Sequence, residues 1–208
     1  MNSSLKVIFL LLVFIYWSCS SNLKTDVPDI SGKQLNGSTI SLQELAKDKV
    51  TVVNVWSTFC GPCLEELPML HNLYDNNKNN SQFAFITMAL NTNDELTQFI
   101  SAADTSNPYH KVFILSKLKE FRLPTIAGLS KGFIIKNTED GKFQAHLPSS
   151  KEFEILRQAL GFGPIPFTVI YDKHGKISYK TDYKGDVESN LVRYQDSLQH
   201  KIDELLYN

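Results

Sequence analysis

Two cysteines separated by two residues are the most reactive side chains that the sequence places close together. Cys60-Gly61-Pro62-Cys63 follows an apolar, β-branched run over residues 50–55 and precedes a segment with helical periodicity. We therefore expect a buried strand that ends shortly before Cys60 and a helix that begins there. A helix N-terminus carries partial positive charge and free N–H groups, which favour a thiolate on Cys60. Cys63, one turn later, lies within reach of Cys60, so the spacing indicates thiol–disulfide exchange.

Metal binding is the main alternative use of paired cysteines. A structural zinc site normally needs four ligands, and the sequence has no second Cys-x-x-Cys pair. A copper chaperone needs a histidine near its cysteines. The five histidines are scattered and none flanks the pair: His71, His110, His146, His174 and His200. We therefore expect no metal site.

Composition and motifs argue against two further classes of function. The chain has 208 residues and a formal net charge of −1, which gives no reason to expect nucleic-acid binding. No glycine-rich nucleotide or flavin motif is present. The only expected redox group is the Cys60–Cys63 disulfide itself, with no other cofactor.

The beginning of the chain is typical of a targeting segment. Lys6 supplies positive charge, and an apolar run follows over residues 7–17. This run is shorter than the roughly twenty residues that span a bilayer, but it suits a signal peptide. We predict a signal peptide over residues 1–18, a polar tether over 19–26 and a folded domain over 27–208.

Cys19 is the predicted lipidation site. A cysteine directly after a small residue at the end of such a run resembles a bacterial lipobox. Tyr16 and Trp17 depart from that pattern, so ordinary cleavage after Ser20 stays open. Either route predicts a protein of the cell envelope on the periplasmic side, lipid-anchored in the first case and soluble in the second.

Strand and helix patterns alternate along the rest of the chain. Helices are predicted from Leu64, Asp94, Ser150 and Val187, and a short one over Lys117–Leu123. Buried strands are predicted at Val50–Trp56, Phe83–Leu90 and Phe167–Tyr171, and further strands at Val112–Leu115, Gly132–Lys136 and Lys176–Tyr179. The alternation indicates an α/β fold with a mixed sheet.

Residues 27–100 and 150–206 resemble the thioredoxin superfamily, in particular its extracytoplasmic TlpA/ResA-like thiol–disulfide oxidoreductases. The resemblance rests on three stretches besides the N-terminal hairpin: residues 52–63 with the Cys-x-x-Cys, Glu65-Glu66-Leu67-Pro68, and residues 163–177. It implies a thioredoxin-like fold with a central mixed β-sheet flanked by helices and an N-terminal β-hairpin extension. Residues 105–145 match no part of the family core, and we interpret them as an insertion of about forty residues.

The resemblance also implies roles for residues around the cysteines. Pro166 matches the family's cis-proline, which leaves the backbone of Ile165 free to pair with an extended substrate. Trp56 is expected to pack beside the disulfide and to take part in substrate binding. The alternative for Pro166 is that Pro164 and Pro166 merely delimit a loop.

Glu66 is the candidate acid–base residue. It matches the family's acidic residue near the dithiol, and Asn54 stands where cytoplasmic thioredoxins carry a buried aspartate. Since an asparagine cannot titrate, Glu66 is the candidate for taking the proton of Cys63. The alternative is a solvated acid that stabilises the first turn of the helix.

The resulting expectation is a reductase of disulfides in extracytoplasmic proteins. Gly61-Pro62 matches reducing thioredoxins, and such a protein needs electrons from a membrane dithiol donor. Two alternatives stay open. The first is a redox-inactive binding module that acts through residues 105–145. The second is a dedicated reductant for cytochrome c maturation.

Overall fold

A computed structural model describes residues 25–101, 120–127, 134–137, 143–146, 151–161, 163–181 and 191–207. The predicted signal peptide, Cys19, most of the tether and the predicted strand Val112–Leu115 lie outside these residues. The strands are β1 Ser31–Lys33, β2 Thr39–Ser41, β3 Val50–Trp56, β4 Phe83–Ala89, β5 Thr125–Ile126, β6 Ile134–Asn137, β7 Phe143–His146, β8 Phe167–Tyr171 and β9 Ile177–Lys180. The helices are α1 Leu42–Ala46, α2 Gly61–Asn77, α3 Asn93–Ile100, α4 Lys151–Leu160 and α5 Leu191–Tyr207.

Five strands form a central mixed sheet in the order β5-β4-β3-β8-β9. The pairs β3–β4 and β4–β5 are parallel, whereas β3–β8 and β8–β9 are antiparallel. Since β3 and β8 run in opposite directions, the end of β3 lies beside the start of β8, with Val55 opposite Phe167. This register brings the segment after β3, which holds the cysteines, next to Pro166. The predicted α/β class with a mixed sheet is confirmed.

Alternation along β3 divides the hydrophobic core between the two faces of the sheet. Val52 and Trp56 belong to one cluster together with Leu67 and Leu70 of α2 and Leu198 of α5. Val53 and Val55 belong to the other cluster, together with Leu156 and Leu160 of α4. The even-numbered position Asn54 therefore shares the face that α2 and α5 cover.

The N-terminal hairpin forms as predicted. β1 and β2 pair antiparallel, and Gly37 in the turn has a φ of 83°, a left-handed conformation that glycine adopts without a Cβ penalty. Ser41 then caps α1, since its hydroxyl accepts the N–H of Glu44 at 3.4 Å.

The folded domain begins at Thr25, two residues earlier than the tether predicted over residues 19–26 allows. The N–H of Asp26 donates to the carbonyl of Gly175 at 2.8 Å, and the Thr25 hydroxyl donates to the same carbonyl at 3.2 Å. Val27 is buried. The last two residues of the predicted tether are therefore attached to the β8–β9 turn.

Two predictions for the proposed insertion need correction. Thr125 and Ile126 form β5, the edge strand of the central sheet, and both are buried, so this part of residues 105–145 belongs to the core. The helix predicted over Lys117–Leu123 is absent at residues 120–123, which have no regular structure. There the N–H of Arg122 donates to a side chain of α2 instead of to a helical carbonyl. The strand predicted at Gly132–Lys136 is confirmed where the structure describes it, as β6 paired with β7.

Within the described ranges, no helix is both long and apolar enough to cross a membrane.

Candidate active site

Cys60 and Cys63 form a disulfide, with their Cα atoms 5.2 Å apart. Cys60 is the N-cap of α2, and the N–H of Cys63 lies 3.2 Å from the Cys60 Sγ, directed at it. The two sulfurs differ in access, because Cys60 is half-buried whereas Cys63 is only 1% exposed. The free N–H groups of the first helical turn favour negative charge on Cys60. The predicted helix start at the cysteine pair is confirmed.

The loop before Cys60 is held by a buried asparagine. The Thr58 N–H donates to Asn91 Oδ1 at 2.9 Å, and Asn91 Nδ2 donates to Thr58 Oγ1 at 2.8 Å. Asn91 follows β4 and has no exposed surface. Sequence reasoning did not single out Asn91, because a polar residue after a strand ordinarily predicts only a turn.

The Ile165–Pro166 peptide bond is cis, as the resemblance implied. The carbonyl oxygen of Ile165 lies 3.6 Å from the Cys60 Sγ, so the backbone of this loop borders the accessible sulfur. Gly163 and Pro164, just before it, are exposed. The loop therefore does more than join α4 to β8: it forms one wall beside Cys60.

The prediction that Trp56 binds substrate needs correction. Its side chain has no exposed surface, and its indole Nε1 donates to Thr87 Oγ1 at 3.2 Å inside the core. Phe99 and Phe121 pack on its ring, with centroid distances of 5.8 and 5.5 Å. A side chain enclosed in this way cannot touch a substrate. The exposed aromatic residue at this site is Phe59, directly before Cys60 and 37% exposed. Sequence reasoning missed Phe59. The available signal was its position, since it is an aromatic residue directly before the first cysteine of the pair.

Glu66 is buried, so the alternative of a solvated first-turn acid is wrong. The residue is 1% exposed, and burial raises the pKa of its carboxyl group from 4.5 to about 8, although Tyr194 and Asn54 act in the opposite direction. It lies three residues after Cys63, on the same side of α2. Glu65, the neighbouring acid, is exposed. The chain thus holds one carboxyl group with a perturbed pKa beside the buried cysteine.

Polar side chains from several elements surround this carboxyl group. We call them the Glu66 cluster: Asn54 of β3, Glu66 of α2, Thr168 of β8, Thr181 after β9 and Tyr194 of α5. Asn54 Nδ2 donates to Thr168 Oγ1 at 3.1 Å, and the hydroxyl of Thr181 accepts the N–H of Thr168 at 2.6 Å. Both Glu66 oxygens, Asn54 Oδ1 and the Tyr194 hydroxyl have no hydrogen-bond partner among the described residues. The cluster therefore keeps free hydrogen-bonding capacity around the carboxyl group.

Within the part of the chain that the structure describes, no three His, Cys, Asp or Glu side chains are grouped in a way that could hold a metal ion.

Sequence comparison gives one family and several relatives. The family model described as Redoxin matches residues 23–123. The thioredoxin-like protein YneN of Bacillus subtilis is 46% identical over 46 residues, which are 22% of this chain and 26% of YneN. The thiol-disulfide oxidoreductase ResA of Oceanobacillus iheyensis is 27% identical over 115 residues, which are 49% of this chain and 59% of ResA. The chain thus spans less than two thirds of the length of either relative.

Structural comparison supports the same fold. The crystal structure of a thiol:disulfide interchange protein from Chlorobium tepidum, a thioredoxin family protein, matches with a TM-score of 0.51. The match covers 88% of this chain and 96% of that one at 17% sequence identity, which establishes the fold alone. The fold, the partial sequence similarity and the cis-proline beside a Cys-x-x-Cys pair agree with one another: the chain has a thioredoxin-like fold and is similar, over part of its length, to TlpA/ResA-like proteins of the thioredoxin superfamily.

Proposed function

We propose that this protein is a thiol–disulfide oxidoreductase that reduces disulfides of extracytoplasmic proteins through Cys60 and Cys63. The observation that carries the proposal is the asymmetry of the pair. Cys60 is the accessible sulfur and receives the N–H of Cys63, whereas Cys63 is buried behind it. The sulfur that a substrate reaches is thus also the one whose thiolate the helix stabilises.

The reaction transfers two electrons through a mixed disulfide. The Cys60 thiolate attacks one sulfur of the target disulfide, the target S–S bond breaks, and the other target sulfur leaves as a thiolate. Cys63 then loses its proton and attacks the Cys60 sulfur, which expels the second target thiolate. The target is reduced, the Cys60–Cys63 disulfide forms, and protons from the cysteines and solvent neutralise the target thiolates. The disulfide pair is the only redox group that this cycle uses.

Substrate contact is assigned to the surface around Cys60. The carbonyl of Ile165 lies beside the Cys60 sulfur, where an extended target segment can hydrogen-bond to the backbone of Ile165 before the cis-proline. Phe59 offers exposed apolar surface next to the same sulfur. Backbone recognition of this kind tolerates many target sequences, since it reads the main chain and not the side chains.

Glu66 is proposed as the base for the second step. A carboxylate three residues after Cys63 is placed to accept the proton of a thiol that water does not reach. With a pKa raised to about 8 by burial, Glu66 binds this proton more tightly than an ordinary carboxylate does, and it releases the proton as the pH rises toward that value. A surface acid with an ordinary pKa would hold the proton far less well at neutral pH.

The setting of the reaction is proposed from the start of the chain. Cys19 would carry a lipid that anchors the protein on the periplasmic side of the cell envelope, and a membrane dithiol donor would restore the reduced pair. Gly61-Pro62 supports the reducing direction. In thioredoxin, which reduces its targets, the couple has a potential of about −270 mV.

Insulin reduction tests the proposed function. We expect the reduced wild type to reduce insulin disulfides, Cys60→Ser to be inactive, and Cys63→Ser to accumulate a mixed disulfide that dithiothreitol releases. The alternative of a binding module predicts a different result. Neither the wild type nor the cysteine variants would then reduce insulin, and the variants would still replace the wild type in cells. A target peptide with an oxidised Cys-x-x-Cys-His that reacts far faster than insulin would indicate a cytochrome c maturation reductant.

The direction of electron flow is tested by equilibration with glutathione or dithiothreitol buffers. A reductase should have a Cys60–Cys63 potential well below about −200 mV. A value nearer about −120 mV would make the protein an oxidant and would contradict the reducing role inferred from Gly61-Pro62.

A further inference from the structure

Tyr194 is a buried tyrosine that the reaction described above does not use. It lies on α5, is 4% exposed, and belongs to the Glu66 cluster on the α2/α5 face of the sheet. Its hydroxyl group has no hydrogen-bond partner among the described residues, and neither do the two carboxyl oxygens of Glu66. Buried polar groups are almost always paired, so two unpaired groups that face each other require an explanation.

The electrostatic surroundings of Glu66 contain no cation among the described residues. The groups that act on its carboxyl are Asn54, which is neutral, and Tyr194. Cys63, on the same helix, is held in the disulfide. Tyr194 in turn faces Glu66, Tyr179 of β9 and the hydroxyls of Thr168 and Thr181. Ionisation of Glu66 therefore depends on neutral donors and not on a salt bridge.

The remaining hydrogen-bond partners in the cluster favour Glu66 as the acceptor for Tyr194. The Thr181 hydroxyl already accepts the N–H of Thr168 and donates to the Thr168 carbonyl at 2.9 Å. Thr168 Oγ1 already accepts from Asn54. An ionised carboxylate is a stronger acceptor than a hydroxyl, so the Tyr194 O–H will turn to Glu66 when Glu66 loses its proton.

We propose that Tyr194 is a positioning residue: it donates a hydrogen bond to the ionised Glu66 and so sets the pH above which Glu66 can take the proton of Cys63. The inference rests on the proposed function of the dithiol. In this step the proton moves from the Cys63 sulfur to a Glu66 oxygen, and Tyr194 keeps its own proton throughout. Burial and the nearby Glu66 raise the pKa of Tyr194 far above neutral pH, which keeps its hydroxyl protonated and available as a donor.

Tyr171 provides a matched control. It lies on β8, has no exposed surface, and its hydroxyl is also buried without a partner among the described residues. The charged group that acts on it is Asp26 and not Glu66. Tyr171→Phe and Tyr194→Phe thus remove the same atom from similar surroundings, but only the second change removes a donor that faces Glu66.

The direct test is the titration of Glu66 in the oxidised full chain. Carbon-13 labelling of glutamate carboxyl groups lets nuclear magnetic resonance follow each one, and Glu66→Gln identifies the resonance. We expect Tyr194→Phe to move the Glu66 midpoint upward by about one pH unit, since a hydrogen bond to a charged group is lost. Tyr171→Phe should leave the midpoint unchanged. An unchanged midpoint in Tyr194→Phe, or equal shifts in both variants, would overturn the proposal.

Exchange kinetics of the reduced protein give the second readout. In Tyr194→Phe the rise of the rate with pH should move to higher pH by the same amount, with up to a tenfold loss near neutral pH and an unchanged plateau. In a Glu66→Gln background, Tyr194→Phe should have no further effect on the pH profile. A further shift in that background would mean that Tyr194 acts elsewhere. Wild-type protein without exchange activity would refute the proposed function, while the titration would still decide whether Tyr194 pairs with Glu66.

Discussion

Glu66 shows how one buried side chain links reactivity to stability. Its carboxyl group is protonated in the folded, oxidised protein up to about pH 8, whereas in the unfolded chain it ionises near pH 4.5. Between these two values the folded state binds one proton more than the unfolded state. Stability is therefore fully present below about pH 4.5 and decreases as the pH rises toward 8. The proposed base thus weakens the fold at the pH at which it ionises.

Glu66→Gln should remove this loss of stability. Glutamine is neutral at every pH, so the oxidised variant should gain on the order of a few kcal/mol of unfolding free energy over the wild type at pH 9. The difference should vanish below pH 4.5, where both side chains are neutral. Urea unfolding at pH 4, 6.5 and 9 with the disulfide intact measures it.

Glu65→Gln is the matched control for this prediction. Glu65 is the adjacent residue on the same helix turn, but it is exposed, so its replacement should leave the pH dependence of stability as in the wild type. If Glu66→Gln behaves like Glu65→Gln at all three pH values, Glu66 is not buried as a neutral acid in solution.

At the scale of elements, α2 joins the cysteines to residues 120–123. The Nδ1 of His71 lies 2.8 Å from the Leu67 carbonyl oxygen, so Nδ1 carries the hydrogen, and Nε2 accepts the N–H of Arg122 at 3.0 Å. Phe121, the neighbouring residue, packs edge-on against the His71 ring at 5.5 Å and also covers Trp56. One neutral histidine therefore fixes the irregular segment that closes the core beside the disulfide.

Protonation of His71 should loosen this connection. Burial and the nearby Arg122 lower the pKa of His71. Asp75 and Glu120 raise it and offset part of this shift. The unfolded chain therefore takes up a proton at higher pH than the folded protein does. Stability from this group is present above about pH 6.5 and decreases as the pH falls below that value.

His71→Leu tests the connection. At pH 7.5 we expect a loss of about 1–3 kcal/mol, since the buried N–H of Arg122 is left without its acceptor. Between pH 7.5 and 5 the variant should lose less stability than the wild type. Amide hydrogen exchange at Arg122 should be faster in the variant. His174→Gln, at an exposed position, is the control. Equal pH dependence in His71→Leu and the wild type would contradict a neutral, hydrogen-bonded His71.

At the scale of the whole molecule, the N-terminal segment contacts a turn about 150 residues later in the chain. Thr25 and Asp26 hydrogen-bond to the β8–β9 turn, where Gly175 has a φ of 72°. Asp26 also forms an ion pair with Lys176 at 3.3 Å. These contacts tie the start of the fold to the turn that follows β8, the strand that the loop beside Cys60 precedes.

Shortened proteins locate this boundary. A protein that begins at Ser21 keeps the contacts of Thr25, Asp26 and Val27, so it should fold and retain full exchange activity. A protein that begins at Asp29 loses the buried Val27 and should be less stable by on the order of 2 kcal/mol. Urea unfolding and insulin reduction of both proteins measure the effect. Equal stability of the two would place the boundary after Val27.

Sequence by itself determined the features that depend on local pattern. The Cys-x-x-Cys at a helix start and the buried strand β3 follow from short stretches whose residue types permit few alternatives, whereas the cis-proline was implied by the resemblance of residues 163–177. Those stretches also carry the resemblance to the thioredoxin superfamily, so the fold and the reactive cysteines were predicted together.

Only the tertiary structure decided which residues are buried and which distant residues meet. Glutamate is a residue type that is normally exposed, so the sequence around Glu66 does not predict its burial. That burial depends on α5, which lies more than a hundred residues later in the chain. Trp56 is enclosed by Phe99 and Phe121, which no local pattern connects to it. Thr125 and Ile126 join the sheet by pairing with the side of β4 that β3 does not occupy. This pairing depends on the order of the strands and not on the sequence of Thr125 and Ile126. The unfavourable burial of the carboxyl group, and the tyrosine that faces it, arise where separate parts of the chain pack together.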